Sequence, residues 1–430
     1  MDALHELETD KGMNAMNTIA VVVETKACSG CGMCAAVCPV DAIAVENGYL
    51  PVIADSCSGC EICYEVCPRV EMPYTAMEKS LAERNGVINR DELLGYFTRI
   101  FLARAADAKV REAGYSGGTT TAFIRYLFER KMIDAALLTD KMHDLPYCAH
   151  PKPRVAVDAQ DALKCAFTKP TVNPLLSRLP VAGERIAVVG NACHIEALRK
   201  AQFIAREDTP AGRRCRELVG NIRFLVGLTC FFSNSPRGVD LLLAGMNLKE
   251  SDLKRWFYDH GNPSVELLDG TVKRVPDANR NFSALNLGCL LCYPSYTARL
   301  SDVTFGKTMS DEWGWNDVTC RSREVDAILH EMEKNNFIET REAGDGGGEL
   351  LASLLEAGVF RMDAAGYARY LETGSFSIDE TTAEMLENRP GGTIRGISLM
   401  KLIQAVRKYA FYESAVAARR AKNIFVPLYR

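Results

Sequence analysis

The chain has 430 residues, of which 47% are hydrophobic and 25% charged, and its formal net charge at pH 7 is −4. This composition is ordinary for a globular protein of two or three domains, and the charge gives no general attraction to nucleic acid or to an acidic membrane surface. No apolar run approaches the roughly 20 residues that span a bilayer, and the acidic N-terminal tail (residues 1–17) does not resemble a signal peptide. Sixteen cysteines in so long a chain indicate a reducing, oxygen-poor cytoplasm and not a disulfide framework. We expect a cytoplasmic protein without a nucleic-acid partner or transmembrane segment, and peripheral association with a membrane stays open.

Residues 18–72 contain one cysteine pattern twice. The spacing C-x-x-C-x-x-C-x-x-x-C-P occurs at residues 28–39 and again at residues 57–68. Thiolate sulfur is the soft ligand that 4Fe–4S clusters need, and in bacterial-type dicluster ferredoxins the fourth Cys of each run binds the other cluster. Zinc knuckles or disulfides are the alternatives, but zinc sites usually pair two short knuckles across a longer loop. We therefore predict a ferredoxin domain with two 4Fe–4S clusters, one held by Cys28, Cys31, Cys34 and Cys67, the other by Cys57, Cys60, Cys63 and Cys38.

The elements around and after this domain can be predicted from apolar runs. TIAVVVE (18–24) and AIAV (42–45) are predicted as short strands, and residues 73–110, charged and partly helical, as a connecting segment. In residues 111–340 the run TTTAFIRYLFERKM is predicted as a helix, because Phe123, Leu127 and Phe128 recur at helical spacing. Short apolar runs predict buried strands at 133–139, 185–190, 223–230 and 301–306. Strands alternating with helices predict an α/β domain with a largely parallel or mixed sheet.

Residues 341–430 are predicted to form a mostly helical C-terminal region. EAGDGGGE (342–349) is expected to be a flexible connection; a phosphate-binding loop is the weaker alternative, because no strand leads into it. The last 29 residues are interpreted as a basic amphipathic helix. It is expected to pack on its own domain, and docking of a partner subunit is the alternative.

Four further cysteines indicate a third metal site. Cys193 and Cys230 follow predicted strands, where α/β proteins build their sites, and Cys289 and Cys292 form a C-x-x-C knuckle. A single Cys is commonly a small buried apolar residue, which explains the remaining Cys148, Cys165, Cys215 and Cys320. Four thiolates together could bind zinc or iron–sulfur, and the ferredoxin domain favours iron–sulfur because zinc cannot pass electrons.

GYSGGTTTAF (114–123) marks a candidate cofactor site. Two glycines and three threonines open a predicted helix, so backbone N–H groups and hydroxyls converge where an anion can bind. Taken alone, the same residues are more typical of a Thr N-cap after a glycine turn.

From residue 117 to about residue 321 the sequence resembles the beta subunits of coenzyme F420-reducing hydrogenase and archaeal formate dehydrogenase, and the input subunit that oxidises reduced F420 in F420 dehydrogenases. It is also similar to the N-terminal half of F420-dependent sulfite reductase and to certain chlorophyll-pathway reductases. The resemblance rests on the order of short motifs, formed by Gly117, Gly118 and Thr121; Thr168 and Lys169; Gly190, Cys193, Leu198 and Lys200; Gly227 and Cys230; Cys289 and Cys292; Thr297, Asp302 and Gly306; and Gly314, Trp315, Val318 and Arg321.

The resemblance implies a flavin-binding α/β domain that holds FAD and uses coenzyme F420 as its substrate. It implies that Cys193, Cys230, Cys289 and Cys292 bind a third 4Fe–4S cluster, and that the chain works with other subunits of a redox complex. Implied cofactor-binding residues are Gly117, Gly118, Thr119, Thr120, Thr121, Thr168, Lys169, Gly190, Asn191, Asp302, Gly306 and Lys307. Two other functions stay open: a flavin and iron–sulfur reductase with its own organic substrate, and an electron-transfer subunit without a deazaflavin site.

Overall fold

The computed structural model describes residues 19–24, 28–46, 50–70, 72–91, 94–113, 117–139, 153–164, 175–176, 184–230, 243–259, 262–275, 297–306 and 314–342. The predictions for the N-terminal tail, for Thr168, Lys169 and Lys307, for Cys289 and Cys292, and for the C-terminal region beyond residue 342 lie outside these residues.

The described helices and strands follow one another from a small N-terminal domain into a large sheet. The helices are α1 (Ile19–Glu24), α2 (Met33–Val37), α3 (Ile62–Glu65), α4 (Tyr74–Asn85), α5 (Ala108–Ala113), α6 (Thr119–Glu129), α7 (Ala192–Ile204), α8 (Pro210–Val219) and α9 (Arg323–Lys334). The strands are β1 (Ile43–Glu46), β2 (Leu50–Ile53), β3 (Asn89–Asp91), β4 (Gly95–Phe97), β5 (Arg99–Ala105), β6 (Ala135–Thr139), β7 (Pro153–Ala156), β8 (Ile186–Asn191), β9 (Ile222–Leu228), β10 (Leu253–Asp259), β11 (Asn262–Leu267), β12 (Val272–Arg274), β13 (Val303–Phe305), β14 (Asn316–Cys320) and β15 (Ile338–Glu342).

Eight strands form the large sheet, in the order β15-β5-β14-β13-β9-β8-β6-β7. Its centre is parallel, since β13, β9, β8 and β6 are parallel neighbours, and antiparallel strands flank it. The predicted mixed α/β fold is confirmed, and the strands predicted at 133–139, 185–190, 223–230 and 301–306 are β6, β8, β9 and β13. The carboxyl ends of these four strands lie at one edge of the sheet, which we call the carboxyl edge. β5 also ends there and β14 begins there, because β14 is antiparallel to both β13 and β5.

Helices cover both faces of the sheet, as a buried parallel sheet requires. Along β8, Ile186 and Val188 pack in one hydrophobic core with α7, α8 and the N-terminal domain. Ala187 and Val189 point to the opposite face, where α6 and α9 form the second core. The central contact there is Phe123 of α6, whose ring lies 5.5 Å from that of Phe305 and 6.4 Å from that of Phe224. The period-two alternation of the strand therefore divides the domain into two packed layers.

Two predictions for the N-terminal third need correction. Residues 18–24, predicted as a strand from their β-branched residues, form helix α1 from Ile19 onward. Ile19 and Val22 are spaced for one helix face and are both buried in the core, so tertiary packing overrides the local preference. Residues 73–110 are more than a connection: α4 connects, but β5 pairs with β14 and β15 inside the large sheet. The sheet thus begins about ten residues before the predicted boundary at 111.

Three smaller sheets complete the described structure, one of them the antiparallel pair of β3 and β4. β1 and β2 form an antiparallel hairpin between the two cysteine runs, and only the first of these strands was predicted. β10, β11 and β12 form a three-stranded sheet inserted between β9 and β13, with Leu253 and Val265 in its own small core. Within the residues that the structure describes, no helix is long and apolar enough to cross a membrane.

Candidate functional site

The two cysteine runs fold in the same way. In each run a residue with positive φ, Gly32 (77°) or Glu61 (63°), caps a short helix, α2 or α3. Another glycine with φ of 68° stands two positions earlier, Gly30 and Gly59 respectively. These left-handed residues curl the chain tightly, so that the thiols of one run face a common point.

The electrostatics of the thiols show which cysteines lie together. Burial, followed by the neighbouring thiols of Cys31, Cys28 and Cys67, raises the pKa of Cys34 well above its usual value, and Cys63 of the second run makes the smallest contribution. Burial also raises the pKa of Cys63, and the thiols of Cys60, Cys57 and Cys38 add to this, opposed by a backbone hydrogen bond from Ile19. The structure therefore brings together Cys28, Cys31, Cys34 and Cys67, the Cys28 set, and Cys57, Cys60, Cys63 and Cys38, the Cys57 set. Bound iron would offset the repulsion between these thiolates.

The donor chemistry fits 4Fe–4S clusters. The twelve cysteines in the described part of the chain are thiols and not disulfides. Backbone N–H groups donate to three of the sulfur atoms: Gly30 to Cys28 Sγ (3.4 Å), Ala42 to Cys38 Sγ (3.2 Å) and Arg69 to Cys67 Sγ (3.4 Å). Such bonds stabilise thiolates. Within the described residues no group of three His, Cys, Asp or Glu side chains forms a site for a single metal ion.

The two sets differ in exposure and charge. All four cysteines of the Cys28 set are buried, whereas Cys60 is exposed and Cys57 half-buried. A cavity lined by Cys38, Cys57, Cys60, Cys63 and Val40 opens to the surface at the Cys57 set. Residues 28–67 contain five acidic residues and no Lys, Arg or His. Three of these acids, Asp41, Asp55 and Glu61, are exposed near the cysteines of the Cys57 set. The Cys57 set is therefore the accessible, acidic side of the N-terminal domain.

Side chains of the main domain hold the N-terminal domain by its backbone. Lys200 of α7 donates from Nζ to the carbonyl oxygen of Cys67 at 2.8 Å. Arg214 of α8 donates to the carbonyl oxygens of Val37 (3.2 Å) and Ala36 (3.4 Å). The role of these two residues could not be predicted from the sequence, because the sequence around a single cation on a helix does not indicate which backbone group it will contact.

The third candidate metal site begins at the carboxyl edge. Cys193 is the second residue of α7 and is buried, and Cys230 follows β9. Asn191 on β8 pairs with Leu228 on β9, so each cysteine comes two residues after a matched strand position. The structure therefore places Cys193 and Cys230 beyond the ends of adjacent parallel strands. Gly190 and Asn191 lie at the same edge, where the N–H group of Asn191 donates to Nδ1 of His194 (3.2 Å).

The glycine–threonine run also lies at this edge, but its residues have different roles. Gly118 has φ of 72° and precedes α6, and a Cβ at Gly117 would lie only 2.7 Å from Oδ1 of Asn316. Thr119 is fully buried: its hydroxyl donates to the carbonyl oxygen of Ala103 (3.0 Å) and its N–H to Oδ1 of Asn316 (3.2 Å). These three residues fasten α6 to β5 and β14.

Thr120 and Thr121 are better placed for a ligand than their neighbours. Both are half-buried residues in the first turn of α6. The N–H groups of a first helical turn have no intrahelical partner, and the helix dipole adds positive potential there. Of this run, these two threonines are therefore the residues that could hold an anionic group.

Asp302 and Gly306 lie on either side of β13. One carboxylate oxygen of Asp302 accepts from Nη2 of Arg199 (2.6 Å) and the other from the N–H group of Leu225 (2.8 Å). Both oxygens are thus engaged within the protein, and Asp302 joins β13 to β9 and α7. Gly306 is at the carboxyl edge, and its carbonyl oxygen accepts from Nδ2 of Asn316 (2.8 Å). A contact of Asp302 with a cofactor stays a prediction.

Helix α7 connects the carboxyl edge with the Cys28 set. Cys193 stands at its beginning and Lys200 seven residues later, a separation of about 10 Å along the helix axis. Since Lys200 contacts Cys67, one rigid helix spans the interval between the third candidate site and the N-terminal domain.

Comparisons with known proteins agree with this arrangement. The family model "Coenzyme F420 hydrogenase/dehydrogenase, beta subunit" matches with its N-terminal part at residues 100–180 and its C-terminal part at residues 183–345. A 4Fe–4S dicluster domain model matches residues 20–72.

Similar proteins include the coenzyme F420 hydrogenase subunit beta of Methanosarcina barkeri, 26% identical over 58% of this chain and 84% of that protein. A subunit of the F(420)H(2) dehydrogenase of Methanosarcina mazei is 27% identical over 79% of this chain and 91% of its own length. Among solved structures, a chain of the xenon-derivatised F420-reducing [NiFe] hydrogenase complex from Methanosarcina barkeri matches with a TM-score of 0.55 and 25% identity. That match covers 63% of this chain and 90% of the solved one.

Proposed function

Because the chain belongs to the family of coenzyme F420 hydrogenase/dehydrogenase beta subunits, with a 4Fe–4S dicluster domain before it, we propose that it passes electrons between coenzyme F420 and one-electron carriers. In this proposal it is an iron–sulfur flavoprotein oxidoreductase that works as a subunit of a larger redox complex. The observation that carries the proposal is the course of α7, from Cys193 at the carboxyl edge to Lys200 at Cys67.

FAD is proposed as the cofactor at the carboxyl edge, where it would convert a two-electron hydride into single electrons. Thr120 and Thr121 would bind its phosphate groups through their N–H groups and hydroxyls, as anions bind at helix N-termini. Gly117, Gly118 and Thr119 would support them by fixing α6 to β5 and β14. The proposed set also includes Gly190, Asn191 and Gly306 at the same edge, and Thr168, Lys169 and Lys307 outside the described residues.

The iron–sulfur ligands are proposed to form a relay in three steps. Cys193 and Cys230, with Cys289 and Cys292, would bind one cluster near the flavin. The Cys28 set would hold the next, behind α7, and the Cys57 set the last, at the accessible acidic surface. The order follows from burial, since the Cys28 set is buried and Cys60 is exposed. The chain's residues would position and tune these groups, and no side chain is needed as a general acid or base.

The test uses the full-length protein, purified anaerobically and supplied with iron, sulfide and FAD. Reduced coenzyme F420 is added with a one-electron dye, and dye reduction is compared with that supported by NADH or NADPH. We expect reduced F420 to be the faster donor. If NADH reduces the dye readily and reduced F420 does not, the proposal that F420 is the electron donor is wrong. If no donor works although clusters and FAD are bound, the alternative of an electron-transfer subunit without a deazaflavin site is favoured.

A further inference from the structure

Lys200 is a cation buried between two domains. It is only 4% exposed, and lysines are rarely buried to this extent unless they are paired. Its Nζ donates to the carbonyl oxygen of Cys67, a member of the Cys28 set, at 2.8 Å. Transfer of an ammonium group from water into such a place costs free energy. A buried cation in this position favours negative charge that develops beside it.

Two side-chain cations act on Cys67. The charges of Lys200 and Arg69 both favour negative charge on its sulfur, against the effect of burial. The carboxylate of Glu65 also interacts with Lys200, but Glu65 is exposed, so water screens its charge. Two cations thus lie near this cysteine, with one exposed carboxyl group opposing them.

The Cys57 set has the opposite surroundings. Its equivalent of Cys67 is Cys38, the fourth cysteine of the first run, next to the exposed carboxylate of Asp41. Asp55 and Glu61 are exposed beside Cys57 and Cys60. Arg214 of the main domain contacts this half at the carbonyl oxygen of Val37, next to Cys38, but its side chain is 27% exposed and lies 3.3 Å from Glu217, whereas Lys200 is buried. The pseudo-symmetric repeat is therefore electrostatically asymmetric, because the buried cation Lys200 lies at the Cys28 set.

We propose that Lys200 is a positioning residue that stabilises an electron on the cluster held by the Cys28 set, through its fixed positive charge beside Cys67. The inference rests on the proposed function only in that the Cys28 set holds a 4Fe–4S cluster. Reduction adds one electron, taken from the reductant, and hence one negative charge, which a nearby cation in a low-dielectric site favours. Lys200 raises the reduction potential of this cluster, and so holds the electron next to α7.

The test is an EPR-monitored redox titration of the anaerobic, cluster-loaded chain with dithionite, in which neither F420 nor flavin takes part. Lys200→Met removes the charge and the hydrogen bond, Lys200→Gln removes the charge and retains a donor, and Lys200→Arg retains the charge. Arg214→Met is the matched control, because Arg214 also donates to backbone carbonyls of the N-terminal domain but is paired with the exposed Glu217 at 3.3 Å. A Cys60→Ser variant identifies the signal of the Cys57 set.

In Lys200→Met and Lys200→Gln we expect the potential of the Cys28-set cluster to become more negative, with a smaller shift at the Cys57 set. In Lys200→Arg and Arg214→Met the potential of this cluster should stay close to its value in the unsubstituted protein. If the Lys200→Met variant loses iron, the cluster potential measured in Lys200→Gln tests the proposal in its place. An unchanged potential in Lys200→Gln, or an equal shift in Arg214→Met, would overturn the proposal. If the Lys200 variants show the expected shift in potential but the protein does not oxidise reduced F420, the result would count against the proposed donor alone.

Discussion

Arg299 and Glu78 form a buried ion pair that joins helix α4 to the main domain. Nη2 of Arg299 lies 2.7 Å from Oε1 of Glu78, and the two side chains are 4% and 6% exposed. Glu78 is on α4, directly after the N-terminal domain, whereas Arg299 lies just before β13. A Cβ on Gly95 would come within 2.5 Å of the same carboxylate oxygen, so β4 packs tightly over the pair. Together with the hydrogen bond of Lys200 to Cys67, this contact fixes how the N-terminal part of the chain meets the main domain.

Glu78→Ala should strongly destabilise the protein, because it leaves the Arg299 cation buried without its partner. Breaking one partner of a buried pair costs about 3–5 kcal/mol in the free energy of unfolding. Urea denaturation measures this loss. The control is Glu83→Ala on the same helix, whose pair with Lys79 is exposed and whose loss should cost less than about 1 kcal/mol. Equal losses in the two variants would show that the buried pair has no special role.

The chain should contain about twelve irons, from three 4Fe–4S clusters. Cys193→Ser should remove about four of them and spare the two clusters of the N-terminal domain, since a hydroxyl is a poor ligand for iron in a cluster. Cys215→Ser is the control: Cys215 is fully buried in the hydrophobic core and belongs to none of the proposed cluster sites, so this change should remove no iron. Stoichiometric zinc with about eight irons in the unsubstituted protein would contradict the third cluster.

One non-covalent FAD per chain should be recovered by heat or acid release. Gly118→Val is a poor test of its site, because Gly118 has φ of 72° and a Cβ there would meet the carbonyl oxygen of Val110 at 2.8 Å. Replacing Thr120 and Thr121 together by Val should weaken FAD binding about tenfold or more, as hydrogen bonds to charged groups contribute about 1.5–3 kcal/mol. Equilibrium dialysis measures this. The exposed first-turn Thr75 of α4, changed to Val, should leave FAD binding unaltered; unchanged binding in the double variant would exclude this site.

Electron delivery to a protein acceptor should depend on the acidic surface at the Cys57 set. After reduction by dithionite, transfer to a basic cytochrome c should slow as ionic strength rises, because exposed charges are screened. Changing Asp41 and Asp55 to Asn and Glu61 to Gln should lower the low-salt rate about tenfold and flatten this dependence. Asp208→Asn, an exposed charge on the main domain, is the control. A small dye should be reduced at the same rate by all variants. A salt-independent rate in the unsubstituted chain would refute the idea.

The cysteine spacing and the strand runs could be interpreted from the sequence because their signals are local. Cys28 and Cys67 are far apart in the chain, but the repeated spacing alone predicts that they lie together. β8 and β9 are continuous apolar runs ended by polar residues. The helix at Ile19 and the place of β5 within the large sheet could not be predicted in this way, because both depend on what packs against them. The pairing of Asp302 with Arg199 could not be predicted either, because the two residues are far apart in the sequence.

The most direct test of the relay is rapid-freeze EPR after mixing FAD-loaded, oxidised protein with reduced coenzyme F420. The account predicts that the signals of the reduced clusters in the N-terminal domain appear quickly in the unsubstituted chain. In Cys193→Ser these cluster signals should appear at least about tenfold more slowly, because the path along α7 has lost its first cluster. The flavin absorbance should still bleach. Equal rates of cluster reduction in the two proteins would contradict electron transfer through the Cys193 site.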